Sequence, residues 1–214
     1  PLSVYTAYND SRQEQTMTAL SRARSLLARK IAEEAELADG QILLTDRFLN
    51  QQMDIPLYEA IGEAFAEVFS EDKVTKVLTI EASGIALAFV TAQVLRVPAV
   101  FAKKKIPLNI GKNYYMSEAY SYTKEEYFPL TLSDYLLGPE DRVLIVDDFL
   151  ARGEALGGLI RLCRDAGAEV VGAGIAVEKR FQGGYKKLEA AGIPLCSLYV
   201  LNSFEDFKKR SENL

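Results

Sequence analysis

The spacing of apolar positions changes from one stretch of this chain to the next, and each spacing predicts an element. In RARSLLARKIAEEAEL (22–37), Leu26, Leu27, Ile31 and Ala35 recur with the period of a helix. PLYEAIGEAFAEVFSED (56–72) predicts a second amphipathic helix. Its Pro56 suits a first turn, where the missing N–H has no partner to lose. GQILLTDRFLNQQ (40–52) reads as a short strand and a turn. The centre then alternates. KVLTI (76–80) predicts a buried strand, EASGIALAFVTAQVLR (81–96) a loop running into a helix, and PAVFAKKK (98–105) another strand. RVLIVDD (142–148) is a strand, 154–165 a helix stopped by Gly167, EVVGAGIAVEK (169–179) a strand, and residues 192–200 offer one more. Residues 106–137 are polar, tyrosine-rich and without clear period, with Pro107, Gly111 and Pro129 as breakers. They are expected to form a long irregular excursion of functional use. Strand–helix–strand twice over predicts an α/β fold, a central mostly parallel sheet flanked by helices on both faces. Residues 1–22 show no strong period and are expected to be an extension of uncertain order, with Met17 a candidate natural start. Residues 23–214 are expected to form one domain.

Composition narrows the function classes. Of 214 residues, 49% are hydrophobic and 26% charged, as in ordinary globular enzymes. A net charge of −5 argues against broad nucleic-acid binding. No apolar run reaches the roughly 18 residues that span a membrane, and the N-terminal stretch has no secretory pattern. The two cysteines, Cys163 and Cys196, lack metal-ligand spacing, which fits a reducing, cytoplasmic compartment. The chain contains no histidine. Histidine-based triads, general bases and metal ligands are therefore excluded.

Candidate chemistry gathers where RVLIVDD surfaces. Asp147 and Asp148 are adjacent acceptors at the carboxyl end of a strand, the place where open α/β sheets bind ligands. Such a pair accepts hydrogen bonds from a ribose diol or helps to hold a hydrated cation. Ala151, Arg152, Gly153, Glu154 and Ala155 then turn into the next helix. Small residues there let an anion approach the free N–H groups of the first turn. Diol site and anion site together fit a ribose 5-phosphate. The pattern by itself also fits phosphoacceptor and magnesium sites and ordinary surface loops. Neither a Walker loop nor a dinucleotide G-x-G-x-x-G occurs.

VLIVDDFLARGEA resembles the signature by which type I phosphoribosyltransferases bind phosphoribosyl diphosphate (PRPP). The usual loop is richer in threonine and glycine. The departure at Arg152, Glu154 and Ala155 resembles the bacterial xanthine branch of that family. QILLTDRFLNQQMD, TIEASGIALA, AYSYTKEE and AVEKRFQGG resemble the same branch, in the same order, over about residues 24–205. The resemblance implies the type I fold, with a small hood from the N-terminal segment and the C-terminal part. It implies a homodimer in purine salvage that converts PRPP and xanthine to XMP and pyrophosphate, with Mg2+ carried by PRPP and no ligand to it from the protein.

Residue by residue, the resemblance assigns the ribose hydroxyls to Asp147 and Asp148 and the 5′-phosphate to residues 151–155. Arg152 adds charge there or points to solvent. Ser83 and Gly84 match the pyrophosphate loop, although Ser83 also fits a helix N-cap. Lys103 and Lys104 reach the pyrophosphate or form a solvated basic cluster. YSYT (120–123) matches a mobile loop that closes over PRPP, or packs as core. Leu43, Asn50 and Lys179 match the base contacts, Lys179 donating to a 6-oxo group and Asn50 to the 2-oxo group of xanthine. Asn50 also fits a plain turn residue, and Phe181 either stacks on the base or packs. Some relatives place an acid where this chain has Ala151, so a protein general base is not expected. The alternatives are a transferase for guanine, hypoxanthine or adenine, and a PRPP-sensing regulator of the same fold.

Overall fold

The computed structural model describes residues 17–39, 42–106, 113–121 and 125–211. Helix α1 (Ala19–Glu34) puts Ala23, Leu27 and Ile31 on one buried stripe. It is capped by Thr18, whose side chain accepts from the Ser21 N–H at 3.1 Å. The helix therefore begins ahead of the boundary expected at residue 23. It also stops short of Leu37, because Glu36–Ala38 forms strand β1, paired antiparallel with β2 (Ile42–Leu44). Helix α2 (Ile55–Val68) is capped by Asp54, which accepts from Leu57 N at 3.1 Å, and Pro56 sits in its first turn as the sequence predicts. A short 3-10 turn follows over Ser70–Asp72.

Strand β3 (Lys76–Ile80), helix α3 (Gly84–Leu95) and β4 (Ala99–Ala102) come next. After the β5–β6 region the chain runs through β7 (Arg142–Leu150), α4 (Glu154–Asp165), β8 (Glu169–Lys179), α5 (Tyr185–Ala191), β9 (Leu195–Leu201) and α6 (Phe204–Ser211). Five parallel strands form the central sheet in the order β4-β3-β7-β8-β9. Alternation along β7 feeds two cores. Leu144 and Val146 join the layer of α1, α2 and α3, while Val143 and Ile145 join the layer of α4 and α5. Gly174 lies flat under the Phe65 ring, so close that a Cβ there would come within 2.8 Å of it.

The described part of residues 106–137 overturns the irregular excursion expected there. Tyr114–Ser121 and Glu126–Ser133 pair as an antiparallel hairpin, β5 and β6, with Tyr120 opposite Tyr127. Pro129 sits inside β6 opposite Glu118, as an edge position permits. The hairpin is sewn to the end of β4 by paired 2.9 Å hydrogen bonds between the Lys103 and Thr131 backbones. Arg161 of α4 holds its other strand, donating to Ser117 Oγ at 3.0 Å and to the Glu118 carbonyl. Pro107, Gly111, Tyr122 and Thr123 lie outside the described residues. So does most of the expected extension, residues 1–16.

Candidate active site

The strand order places a crevice between β3 and β7. The chain leaves β3 towards β4 on one side, and leaves β7 towards β8 on the other. Divergent connections open a gap at the carboxyl ends of the strands. Strand β7 runs two residues further than the sequence suggests, through Phe149 and Leu150, so Asp147 and Asp148 lie inside it. Both are buried, at 6% and 8% exposure. The Asp148 N–H donates to Asp147 Oδ1 at 3.1 Å and the Phe149 N–H to Asp148 Oδ1 at 2.9 Å. Burial first, and the neighbouring Asp148 second, push the Asp147 carboxyl well above the usual carboxylate range. The charge of Lys104 opposes that rise.

The segment after β3 closes on the same spot. A Cβ on Gly84 would lie 2.7 Å from Asp147 Oδ1, and closer still to Thr79 Oγ1. Glycine is what permits this approach. The Glu81–Ala82 peptide is cis. Glu81 Oε1 accepts from Lys104 N at 2.6 Å, fastening the end of β3 to that of β4. Ser83 stands at the N-cap position of α3 but makes no capping hydrogen bond. Lys104 is thus brought to the acid pair, and its Nζ lies 5.9 Å from the Phe128 ring centroid. Lys103 uses its backbone in the bridge to the hairpin.

Residues 151–155 form the turn into α4. Gly153 has a left-handed φ of 76° at the helix N-cap. Arg152 is exposed, and the Glu154 carboxylate is paired with Lys187 Nζ at 2.6 Å, so what Glu154 offers an anion is its N–H. The turn rests on a second backbone. Gly184 N donates to the Ala151 carbonyl at 3.0 Å. A Cβ on Gly184 would fall 2.8 Å from Gly153 N and nearer still to Ala151 O. The doubled glycine in RFQGG is the only sequence signal of this support.

On the other side of the acids, Lys179 Nζ sits 4.9 Å from the Phe149 ring centroid. Burial lowers its pKa, against the pull of Asp148. Its chain neighbour Glu178 faces the opposite layer at 1% exposure. There Glu178 binds Arg180 and accepts from Ser197 Oγ at 2.6 Å, so the carboxylate whose charge reaches Lys179 is that of Asp148. Tyr58 is buried next to the same group: burial and the Asp148 charge raise its phenol to about 12. Its hydroxyl donates to the Leu49 carbonyl at 2.7 Å. That bond ties the turn that carries exposed Asn50 to helix α2, at a phenol within reach of the Asp148 charge. The Thr45 carbonyl stabilises the same turn by accepting from the N–H groups of Phe48, Leu49 and Asn50. Leu43 is buried in the core beside this turn rather than open to solvent. Phe181 packs edge-on against Phe204, with centroids 4.9 Å apart. The sequence does not single out Thr79, Tyr58 or Gly184, which lie against Gly84, the 46–50 turn and the 151–155 turn respectively. A cavity of about 390 Å³, lined by Arg24, Arg180, Tyr185 and Ser197 among others, does not include the acid pair. Among the described residues no cluster of three or more Asp, Glu, Cys or His side chains is grouped to hold a metal ion, and no helix is long and apolar enough to cross a membrane.

Comparison with known proteins gives a consistent picture. The family described as "Phosphoribosyl transferase domain" matches residues 51–188. A xanthine phosphoribosyltransferase of Laribacter hongkongensis is 50% identical over 181 residues, covering 84% of this chain and 95% of that protein. The enzyme of the same name from Bifidobacterium animalis subsp. lactis is 47% identical, covering 84% and 93%. Among solved structures, an adenine phosphoribosyltransferase from Rhodothermus marinus superposes with a TM-score of 0.70 at 26% identity, over 83% of this chain and 99% of that one.

Proposed function

This chain belongs to the phosphoribosyltransferase family, and on that premise we propose that it transfers 5-phosphoribosyl from PRPP to xanthine, giving XMP and pyrophosphate in purine salvage. The observation that carries the reading is the convergence of Gly84, the Asp147–Asp148 pair and the partly buried Lys179 around one crevice. Asp147 and Asp148 accept the ribose hydroxyls. The N–H groups of residues 151–155 hold the 5′-phosphate at a helix N-terminus. Residues 83 and 84, with Lys103 and Lys104, face the pyrophosphate.

As the C1–oxygen bond lengthens, positive charge grows on the sugar ring and negative charge on the leaving pyrophosphate. A ring nitrogen of the base forms the new bond to C1 as pyrophosphate leaves, and the protein lowers the barrier by position and by fixed charge, so no nucleophilic side chain is needed. Mg2+ enters as part of the substrate complex and neutralises the departing pyrophosphate. Lys179 donates to the 6-oxo oxygen of the base and meets the 6-amino group of adenine as donor against donor, which penalises adenine. Asn50 donates to the 2-oxo oxygen that hypoxanthine lacks, and Leu43 backs the base wall. Ala151 cannot take a proton, so the base nitrogen loses its proton to water or arrives without it.

The chain acts as a homodimer in the cytoplasm. Helix α3 supports the first statement. It is apolar nearly all round, and it leaves Phe89 62% exposed, with Val94 and, on edge strand β4, Phe101 also exposed. The two buried unpaired cysteines, Cys163 and Cys196, support the second.

The test is nucleotide formation from Mg2+-PRPP with xanthine, guanine, hypoxanthine or adenine. The largest kcat/KM is expected with xanthine and the smallest with adenine. A preference for adenine would refute the role of Lys179. Tight PRPP binding without turnover on any base would refute the enzyme reading in favour of a PRPP sensor.

A further inference from the structure

A buried hydroxyl that forms no hydrogen bond costs stability, and native proteins hold few of them. Among the described residues, the buried side-chain oxygens in that position are those of Thr45 and Thr79. Thr79 belongs to β3, which flanks the crevice. Thr45 follows β2 and opens the Asn50 turn, which its carbonyl stabilises.

Thr79 is the more telling of the two. It lies in β3, next to last in the strand, at 1% exposure. A valine there would be equally at home in a strand and would leave no orphan oxygen. The Thr79 hydroxyl and Asp147 Oδ1 press on the same point, the position a Cβ of Gly84 would occupy. The orphan donor and the sugar-binding acid are thus neighbours across the pyrophosphate loop, without a hydrogen bond between them in the ligand-free chain. An ionised carboxylate that also receives ribose hydroxyls needs its remaining lone pairs filled once water is excluded. Thr79 is the side-chain donor in place to do so.

We propose that Thr79 is a positioning residue for the sugar site: on PRPP binding its hydroxyl turns to donate to Asp147, fixing the carboxylate against the ribose and coupling it to the loop at Gly84. The proposal rests on the assignment of Asp147 to the ribose. It implies that the free protein tolerates an unsatisfied group that the complex uses, so function and stability should respond to its removal in opposite directions.

Thr79→Val supplies the test. The KM for PRPP is expected to rise about tenfold or more, the loss of one hydrogen bond to a charged group. The KM for xanthine should change by less than about twofold, and the melting temperature should stay level or rise. A purely structural threonine would lower the melting temperature and leave the two KM values moving together. Thr79→Ser, which keeps the hydroxyl, should restore the PRPP KM. If the valine variant folds poorly, Thr79→Ala and Thr79→Ser differ by the hydroxyl alone: equal PRPP KM values for that pair overturn the proposal. Asp147→Ala separates the two levels of the argument. Wild-type PRPP affinity in both Asp147→Ala and Thr79→Val would bring down the sugar-site assignment itself. A crippled Asp147→Ala beside an unaltered Thr79→Val removes only the role of Thr79.

Discussion

Adding one methyl group at Gly184 should damage a site that Gly184 itself does not line. Its φ of −59° suits any residue, so alanine brings no backbone strain. The harm is steric. The new Cβ would stand 2.8 Å from Gly153 N and 2.9 Å from Leu150 Cδ1, and nearer than either to the Ala151 carbonyl. Leu150 can rotate, but the two backbone atoms belong to the turn assigned to the 5′-phosphate. Carbon contacts are comfortable at about 3.5–4.0 Å, so the turn must retreat by roughly 0.5–1 Å. The 3.0 Å hydrogen bond from Gly184 N to Ala151 O is lost or stretched in the process.

Overpacking of this kind costs about 1–3 kcal/mol, and the hydrogen bond about 1 kcal/mol more. For a domain of this size that lowers the melting temperature by roughly 5–10 °C. A misplacement near 1 Å at a positioning site costs on the order of a hundredfold in rate. We therefore expect Gly184→Ala to lower kcat/KM for PRPP about a hundredfold. Gly183→Ala is the matched control. A Cβ there meets nothing within 4 Å, but φ is +76°. It should cost about 1–2 kcal/mol of stability through the left-handed backbone and leave PRPP kinetics near wild type. Steady-state kinetics with varied PRPP, beside thermal melts of both proteins, decide the matter. Near-normal PRPP kinetics in Gly184→Ala, or equal kinetic damage in both variants, would refute the idea that the second glycine shapes the phosphate turn.

Three further outcomes are expected. Burial lowers the Lys179 pKa, so kcat/KM for xanthine should fall on the alkaline side at a pH below the ordinary lysine range, and Lys179→Met should abolish that limb while leaving the PRPP KM near wild type; a pH profile of both proteins tests this. The Asp147 pKa is raised, so the native state binds more protons than the unfolded chain between the ordinary carboxylate pKa and the folded one. Stability is then lost as pH rises through that window, and Asp147→Asn should melt higher than wild type above it while losing PRPP binding, as thermal melts across pH and calorimetry will show. Phe89→Glu should convert the proposed dimer to monomer in sedimentation velocity, since it puts a charge in the middle of the exposed apolar face of α3; equal sedimentation coefficients for wild type and variant would refute a dimer contact on that face.

The sequence determined every strand of the central sheet, because buried parallel strands are short continuous apolar runs and their period is local. β3 and β8 end where KVLTI and EVVGAGIAVEK end. It determined the acid pair and the turn into α4 for the same reason: adjacent residues carry them. The β5–β6 hairpin was hidden although its two strands are neighbours in sequence, because neither alternates cleanly between buried and exposed positions. Pro129 also reads as a breaker until an edge position accommodates it, and the β4 edge and Arg161 that fasten the hairpin are distant in sequence. Only the tertiary structure could bring Thr79 to Asp147, Tyr58 to the Asn50 turn, or Gly184 beneath Ala151. The first and last of these join segments far apart in the chain, and the second joins a helix to the turn before it by a contact that no local pattern marks. Threonine in a strand, tyrosine in a helix and glycine before one look the same in sequence whether they face water, core or a carboxylate, and only packing chooses among these.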